Sequence, residues 1–313
     1  MKPTPVLVFG SLNADLVIRA DRLPRAGETL QGGDLAVYPG GKGANQACAA
    51  ARLGADVRMF GAVGRDVFGD LLLESLRGYG ADASGVRRLE RSTGSASITV
   101  LPNGDNAILL APGANGAVDA SWVDAMGPSL GDKPIVLCQL EVPLPAVEAL
   151  LVAADAKGAR VILDPAPAYP LSPELLVRAS IVTPNQTEAA LLIGRPEAPP
   201  ATYEDAREVC RLLHERGVRT AIVKMGEQGC LVSDGGEPFV APAHRVKAVD
   251  TTAAGDTFNG ALAAALAEGL DLRAAVAFGN AAAAISVTRP GAQSSAPERA
   301  EVERLLQQAA QER

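Results

Sequence analysis

Residues 250–260 read DTTAAGDTFNG, from Asp250 to Gly260, and this stretch decides the fold. Ala253, Ala254 and Gly255 supply a small-residue bend that lets the backbone come close to a ligand. From Asp256 onward, Phe258, Ala261, Leu262, Ala265 and Leu266 recur at helical spacing until Gly269. A loop that turns directly into a helix offers amides without intrahelical partners at the positive end of the helix dipole. Such a turn cradles anions, and Asp256 sits in its mouth. An acid there is commonly a cap or first-turn residue. It can equally take the proton of an alcohol attacking a phosphoryl group. The residues alone leave both readings open.

Outward from this stretch the chain alternates strands and helices. Leu272 to Val287 spell a second Ala-rich helix, and residues 286–295, SVTRPGAQSS, a polar turn. Upstream, Thr220–Lys224 is a strand, followed by a glycine turn through Gly226 and Gly229 into another strand. Helices are expected at Tyr203–Arg216, from Asn185 through Ile193, at Ser172–Ala179 and at Pro145–Ala156. Strands are expected at Ile181–Thr183, Arg160–Asp164 and Ile135–Gln139. This alternation implies a largely parallel sheet with helices on both faces. Asn185 and Glu188 have the spacing of a capping box. Glu141 follows a buried strand, so its charge either meets solvent or holds a ligand.

The first third reads differently. Val6–Phe9 is an apolar strand that ends at Gly10, and Asn13 and Asp15 follow it. Both are turn formers, and both suit sugar hydroxyls at the carboxyl end of a strand. Strand-like pieces at Leu16–Ala20, Glu28–Gln31 and Asp34–Tyr38 are joined by turn signals. A hairpin is expected from Ser95–Leu101 and Asn106–Leu110 across Pro102–Asp105, with Pro112–Asn115 leading back. A small sheet of this kind needs cover for its second face. It reads as a lid formed by about residues 14–40 and 95–112, and as a dimerisation surface. Residues 39–46, PGGKGANQ, open a helix through Ala47 to Leu53 but are not a phosphate-binding P-loop, and Gln46 breaks a GxGxxG match. Either the glycines allow tight packing, or the amides grip hydroxyls together with Lys42 and Asn45. Ala55–Phe60 is a strand, and Asp66 is placed to cap a helix through Leu76.

The 313 residues suffice for a single α/β domain with its appendage, spanning 1–313. A net charge of −7 speaks against a nucleic-acid or membrane-surface binder. No apolar run approaches a membrane span, and the N-terminus lacks a signal-peptide layout. Cys48, Cys138, Cys210 and Cys230 form no CxxC pair, which reads as buried free thiols in a cytoplasmic protein. His214 and His244 read as surface residues rather than ligands.

Several strings together identify a resemblance. DTTAAGDTFNG, GGKGANQA (40–47), GAVGRDVFG (61–69), LEVP (140–143), NQTE (185–188) and the glycine turn at 226–229 stand in order along nearly the whole chain. They resemble the signatures of the ribokinase-like, or pfkB, sugar kinases. The resemblance implies a three-layer α/β/α domain with a β lid; a homodimer through that lid is expected because the small sheet otherwise leaves an apolar face exposed. It implies ATP-dependent phosphorylation of a small sugar, foremost D-ribose at its 5-hydroxyl. Deoxyribose, fructose, a ketodeoxygluconate or a nucleoside are rival acceptors, and a catalytically idle sugar sensor is a rival class. By resemblance Asp256 is the base and Ala253, Ala254 and Gly255 form the anion hole. Asn13, Asp15, Gly41, Lys42, Gly43, Asn45 and Glu141 would contact the sugar. Asn185, Lys224, Gly226, Gly229, Gly255 and Asn280 would contact ATP, although relatives often carry Thr in place of Lys224. Asn185 and Glu188 would help hold Mg²⁺ with the phosphates. A monovalent cation, K⁺, would rest on Asp250, Thr252 and the backbone around Ser286, Arg289, Gly291 and Ser295.

Overall fold

The four side chains of strand β1 (Val6–Phe9) are all buried, because they alternate between two apolar layers. Val6 and Val8 enter one layer, Leu7 and Phe9 the other. That is the period-two pattern of a strand covered on both faces. The computed structural model describes residues 4–311; Met1 to Pro3, where the N-terminal stretch read above begins, and the last two residues lie outside them.

After β1 come β2 (Asn13–Arg19), β3 (Ala36–Gly40), α1 (Lys42–Arg52), β4 (Val57–Gly64) and α2 (Val67–Gly78). Then follow β5 (Asp82–Leu89), β6 (Gly94–Val100), β7 (Asn106–Ala111), α3 (Ala120–Leu130), β8 (Ile135–Cys138) and α4 (Leu144–Lys157). Next are β9 (Arg160–Leu163), α5 (Pro173–Leu176), β10 (Ile181–Val182), α6 (Gln186–Leu192), α7 (Tyr203–Glu215) and β11 (Ala221–Lys224). The chain closes with β12 (Gly229–Ser233), β13 (Phe239–Pro242), α8 (Ala254–Ala267), α9 (Leu272–Ser286) and α10 (Arg299–Gln311).

Nine strands form the main sheet in the order β13-β12-β11-β10-β9-β8-β1-β4-β5. Its pairings are parallel except β11–β12 and β12–β13. Helices α1, α2, α8, α9 and α10 cover one face and α3 to α7 the other. Strand order reverses at β1, which pairs with β4 on one side and β8 on the other. Open α/β sheets bind ligands beyond the carboxyl ends of their strands at such a reversal.

A second sheet, β3-β2-β6-β7, stands apart with β2–β6 parallel and the other pairings antiparallel. Asp15 pairs with Tyr38 and Ala96, and Ala96 with Leu110, so these four share one face. Ile108 and Leu109, neighbours on opposite faces of β7, are 59% and 76% exposed. Neither face of this sheet is covered at that edge.

Expectation and structure part in several places. Glu28–Gln31 is not a strand: the Glu28 carboxylate is tied to the Arg22 guanidinium and the Arg25 amide, which closes a turn around Gly27 instead. The expected helix 172–179 shortens to Pro173–Leu176. The glycine-rich stretch does open a helix, and α1 begins within it at Lys42 with Gly41 as its N-cap. His214 is half-buried, its ring between the Val218 carbonyl and the Ser233 hydroxyl, both at 2.7 Å. It is a satisfied packing residue rather than a surface one. The four cysteines are buried free thiols as expected. Asp66 caps α2 through the Gly69 amide, and the Asn185–Glu188 capping box is complete.

Candidate active site

Helices α1 and α8 approach so closely that a Cβ on Gly260 would lie 2.7 Å from the Gln46 carbonyl oxygen and 2.8 Å from the Ala49 Cβ. That approach sets the first turns of both helices face to face beyond the strand ends. Asp256, on the first turn of α8, is therefore met by two amides from α1. Asn45 Nδ2 donates to its Oδ2 at 3.0 Å, and Gln46 Nε2 to its Oδ1 at 3.0 Å. Asp256 does not cap its helix. The N-cap is Ala253, which makes no side-chain capping bond.

The expected small-residue bend is present at Ala253. Ala253, not Gly255, carries the left-handed backbone, with φ of 57°. Gly255 already belongs to the helix, where its lack of a side chain leaves room for the Lys224 ammonium 3.4 Å from the place of a Cβ. The first intrahelical bond runs from the Thr257 amide to the Ala253 carbonyl. The amides of Gly255 and Asp256 precede it, so they have no carbonyl of the helix to bond.

Burial raises the Asp256 pKa, and the nearby Asp164 pushes the same way. The Lys42 ammonium and the bonds from Asn45 and Gln46 oppose the rise. For Lys42, burial opposes charge, yet Asp256, Asp164, Glu141 and Glu188 outweigh it and hold the ammonium above its ordinary range. One cation thus sits among four carboxylates.

On the side of the small sheet, Glu141 Oε2 accepts from the Ser11 hydroxyl at 2.5 Å, the Lys42 amide at 3.1 Å and Asn13 Nδ2 at 3.4 Å. Asn13 Oδ1 in turn accepts from Asn115 at 2.8 Å. The Asp15 carboxylate lies over Gly40, where a Cβ would be 2.2 Å from Oδ2. Gly41 has φ of 88°, and a Cβ there would be 2.6 Å from the Asn13 amide nitrogen. Burial, together with the charges of Glu141 and Asp256, lifts the Asp15 pKa from 3.8 to about 7. A half-buried acid so displaced, among side chains with spare acceptors, suits a polyhydroxy ligand that supplies donors. Asn45 Oδ1 is buried and accepts no hydrogen bond from the described residues.

On the other side of Asp256 opens a cavity of about 470 Å³, lined by Lys42, Asp164, Glu188, Lys224 and the Ala253–Asp256 turn, among others. Lys224 Nζ pairs with Asp164 Oδ1 at 3.1 Å, and both groups are largely buried. Asn185, Gly226, Gly229 and Asn280 also border the cavity. Asn280 donates to the Ala241 carbonyl at 2.9 Å. Glu188 serves the capping box with both oxygens, and burial raises its pKa. Among the described residues no cluster of three or more metal-binding side chains exists.

Asp250 stitches two segments together, accepting from the Thr252 and Gly291 amides at 2.9 Å each. Burial works against its charge, but these bonds keep its pKa below the ordinary value. The Ser286 and Ser295 hydroxyls turn to the Ala283 and Ala292 carbonyls, and Arg289 pairs with Glu301. Of the residues expected around a monovalent cation, the Asp250 carboxylate, the backbone oxygens and the lone pairs of the donating serine hydroxyls are oxygen donors of the kind it would need.

Three residues that sequence reasoning passed over join the centre. Gln46 bridges Asp256 and Asp164, Gln139 donates to Gln46, and Asp164 anchors Lys224. Asp164 ends a buried strand, the same signal that singled out Glu141.

The model for "pfkB family carbohydrate kinase" matches residues 3–299 of this chain. A ribokinase of Haemophilus influenzae is 41% identical over 303 residues, covering 96% of this chain and 98% of its own. A deoxyribokinase of Salmonella typhi is 36% identical, with 93% and 95% covered. The structure of Arabidopsis thaliana ribokinase complexed with ribose and ATP superposes with a TM-score of 0.91 at 35% identity, covering 97% of this chain and 99% of that one. A structure from E. coli in complex with ATP and Mg²⁺ reaches 0.80 at 27% identity, covering 97% and 99%.

Proposed function

The chain belongs to the pfkB family of carbohydrate kinases, and on that premise we propose that it transfers the γ-phosphoryl group of ATP to the 5-hydroxyl of D-ribose. One observation carries the reading. Asp256 lines a cavity bordered by helix amides, Lys42 and Lys224, and its charge reaches Asp15 in the polar group of Asn13, Asp15 and Glu141. The full-length likeness to ribokinases supports ribose as the acceptor.

In this reading Asn13, Asp15, Asn45 and Glu141 hold the furanose, with the backbone of Gly41, Lys42 and Gly43 beneath it. The primary hydroxyl points at Asp256, whose raised pKa brings it closer to that of a working general base. Asp256 accepts the proton as the hydroxyl oxygen attacks phosphorus. The Ala253–Asp256 turn and Lys224 stabilise charge on the transferred group. Asn185, Gly226, Gly229 and Asn280 border the place for the rest of the nucleotide. Glu188 and Asn185, on the wall of the cavity, would help hold Mg²⁺, which binds through one or two carboxylates and brings phosphates and water with it. When bound, Mg²⁺ supplies neutralisation of phosphate charge. Asp250 and the backbone oxygens of the 286–295 turn suit K⁺, whose place adjoins the segment that leads into the cradle.

The small sheet acts as a lid that excludes competing water, and its uncovered edge at Ile108 and Leu109 forms the homodimer contact. No helix of the described residues is long and apolar enough to cross a membrane. Four buried free thiols suit the cytoplasm, where ATP is also available.

Deoxyribose is the second reading, favoured by the deoxyribokinase relatives. ATP consumption against ribose, deoxyribose, fructose, ketodeoxygluconate and adenosine, with and without K⁺, tests the proposal. A strong preference for ribose with activation by K⁺ is expected. Preference for another acceptor would overturn the pocket reading, and absence of turnover with all of them would overturn the kinase reading.

A further inference from the structure

Gln46 sits at a junction that the reading above leaves unused. Its Nε2 donates to Asp256 Oδ1 at 3.0 Å and to Asp164 Oδ2 at 2.9 Å, while its Oε1 accepts from Gln139 Nε2 at 2.6 Å. Gln46 and Gln139 are fully buried, and Asp164 and Asp256 nearly so. The carboxamide has one workable orientation. Turned over, it would set an oxygen against two carboxylates and its own N–H groups against those of Gln139. Gln139 Oε1 packs against Gly10, where a Cβ would be only 2.0 Å away, and accepts no hydrogen bond from the described residues. The relay thus runs from Gln139 through Gln46 to both carboxylates.

We propose that Gln46 is a positioning residue for Asp256: it holds one carboxylate oxygen in place and leaves the remaining lone pairs facing the sugar hydroxyl. Gln139 fixes the direction of that bond. The proposal rests on the assignment of Asp256 as base. Two amide donors, Asn45 and Gln46, favour the charged carboxylate over the neutral acid. The charged groups that face Asp256 are Lys42 on α1, Asp164 after β9 and Asp15 on β2. Lys224 on β11 acts through Asp164, and Glu141 and Glu188 through Lys42. None of these bonds Asp256 in the way Gln46 does. A buried amide with a merely structural role would hold α1 against α8 and leave the ionisation of Asp256 alone.

Gln46→Met removes both donors, and Gln46→Glu keeps the shape but replaces them with a third acid. Either change raises the pKa of Asp256, so the acid limb of the single-turnover rate against pH moves up by about one pH unit or more. The Kd for ATP stays unchanged. The carboxyl carbon resonance of Asp256, assigned by its loss in Asp256→Asn, moves its titration midpoint up by the same amount without need of turnover. Rates lowered equally at every pH, with the limb and the resonance unmoved in both variants, would overturn the proposal. An Asp256→Asn variant that keeps its activity would overturn the base assignment instead. A displaced Asp256 resonance would then still show Gln46 acting on that carboxylate.

Discussion

Replacing Asp15 by Asn should make the unliganded protein more stable while removing its hold on the sugar. The Asp15 carboxylate is half-buried over Gly40, with Glu141 and Asp256 nearby, and its pKa lies at about 7 rather than 3.8. A pKa difference of about three pH units, at about 1.4 kcal/mol each, sets a ceiling of about 4 kcal/mol on what its charge costs the folded state. Partial exposure of Asp15 to solvent reduces that, so about 1–3 kcal/mol is expected. The sign follows from the raised folded pKa. Between pH 4 and about 7 the folded state binds the extra proton. Stability contributed by Asp15 is therefore lost as pH rises through that window, and the whole cost is present above it. Asn carries no charge, and its amide can donate where the carboxylate was repelled by Glu141. Urea unfolding of both proteins at pH 8 and at pH 4 measures the effect. Asp15→Asn should gain stability at pH 8 and show a much smaller difference at pH 4. An equal difference at the two pH values, or none at pH 8, would refute the reasoning.

Further outcomes follow from the same geometry. Gly41→Ala places a Cβ 2.6 Å from the Asn13 amide nitrogen at φ of 88°, so it should lose about 2 kcal/mol or more in denaturation and raise the KM for sugar more than that for ATP. Lys224→Met leaves the buried Asp164 carboxylate without its 3.1 Å partner; about 3 kcal/mol of stability should be lost, with part restored by adding Asp164→Asn, read from a double-mutant cycle. Leu109→Glu, on the exposed edge of the small sheet, should turn the proposed dimer into a monomer in sedimentation while leaving its unfolding free energy, measured at one low protein concentration, within about 1 kcal/mol.

What the sequence disclosed were features written in neighbouring residues. The strand β1 announces itself as four apolar residues before Gly10, Asp66 and Asn185 stand at cap spacing, and the 95–111 hairpin is marked by its turn. The parallel sheet follows from alternation along the chain. Features that depend on residues far apart stayed hidden. Gln46 lies 210 positions from Asp256 and 118 from Asp164, and a neutral amide in a helix gives no local sign of bridging two carboxylates. The left-handed bend falls on Ala253 although Gly255 is the residue that adopts it at least cost, because the surrounding turn, not local propensity, fixes the backbone there. Glu28–Gln31 looked extended, and a charge pair with Arg22 closed it into a turn. Strand β5, helix α3, strand β13 and helix α10 lie outside the elements read from sequence, their partners being set by the sheet order and the layers rather than by adjacent residues.

The central claim is that Asp256 removes the proton of a sugar hydroxyl at the mouth of α8. The most direct measurement is ADP formation from ribose and ATP by Asp256→Asn, alongside its ATP affinity from calorimetry. The account predicts that kcat falls by about a thousandfold or more with the Kd for ATP within about twofold of the parent. Turnover near that of the parent would contradict it.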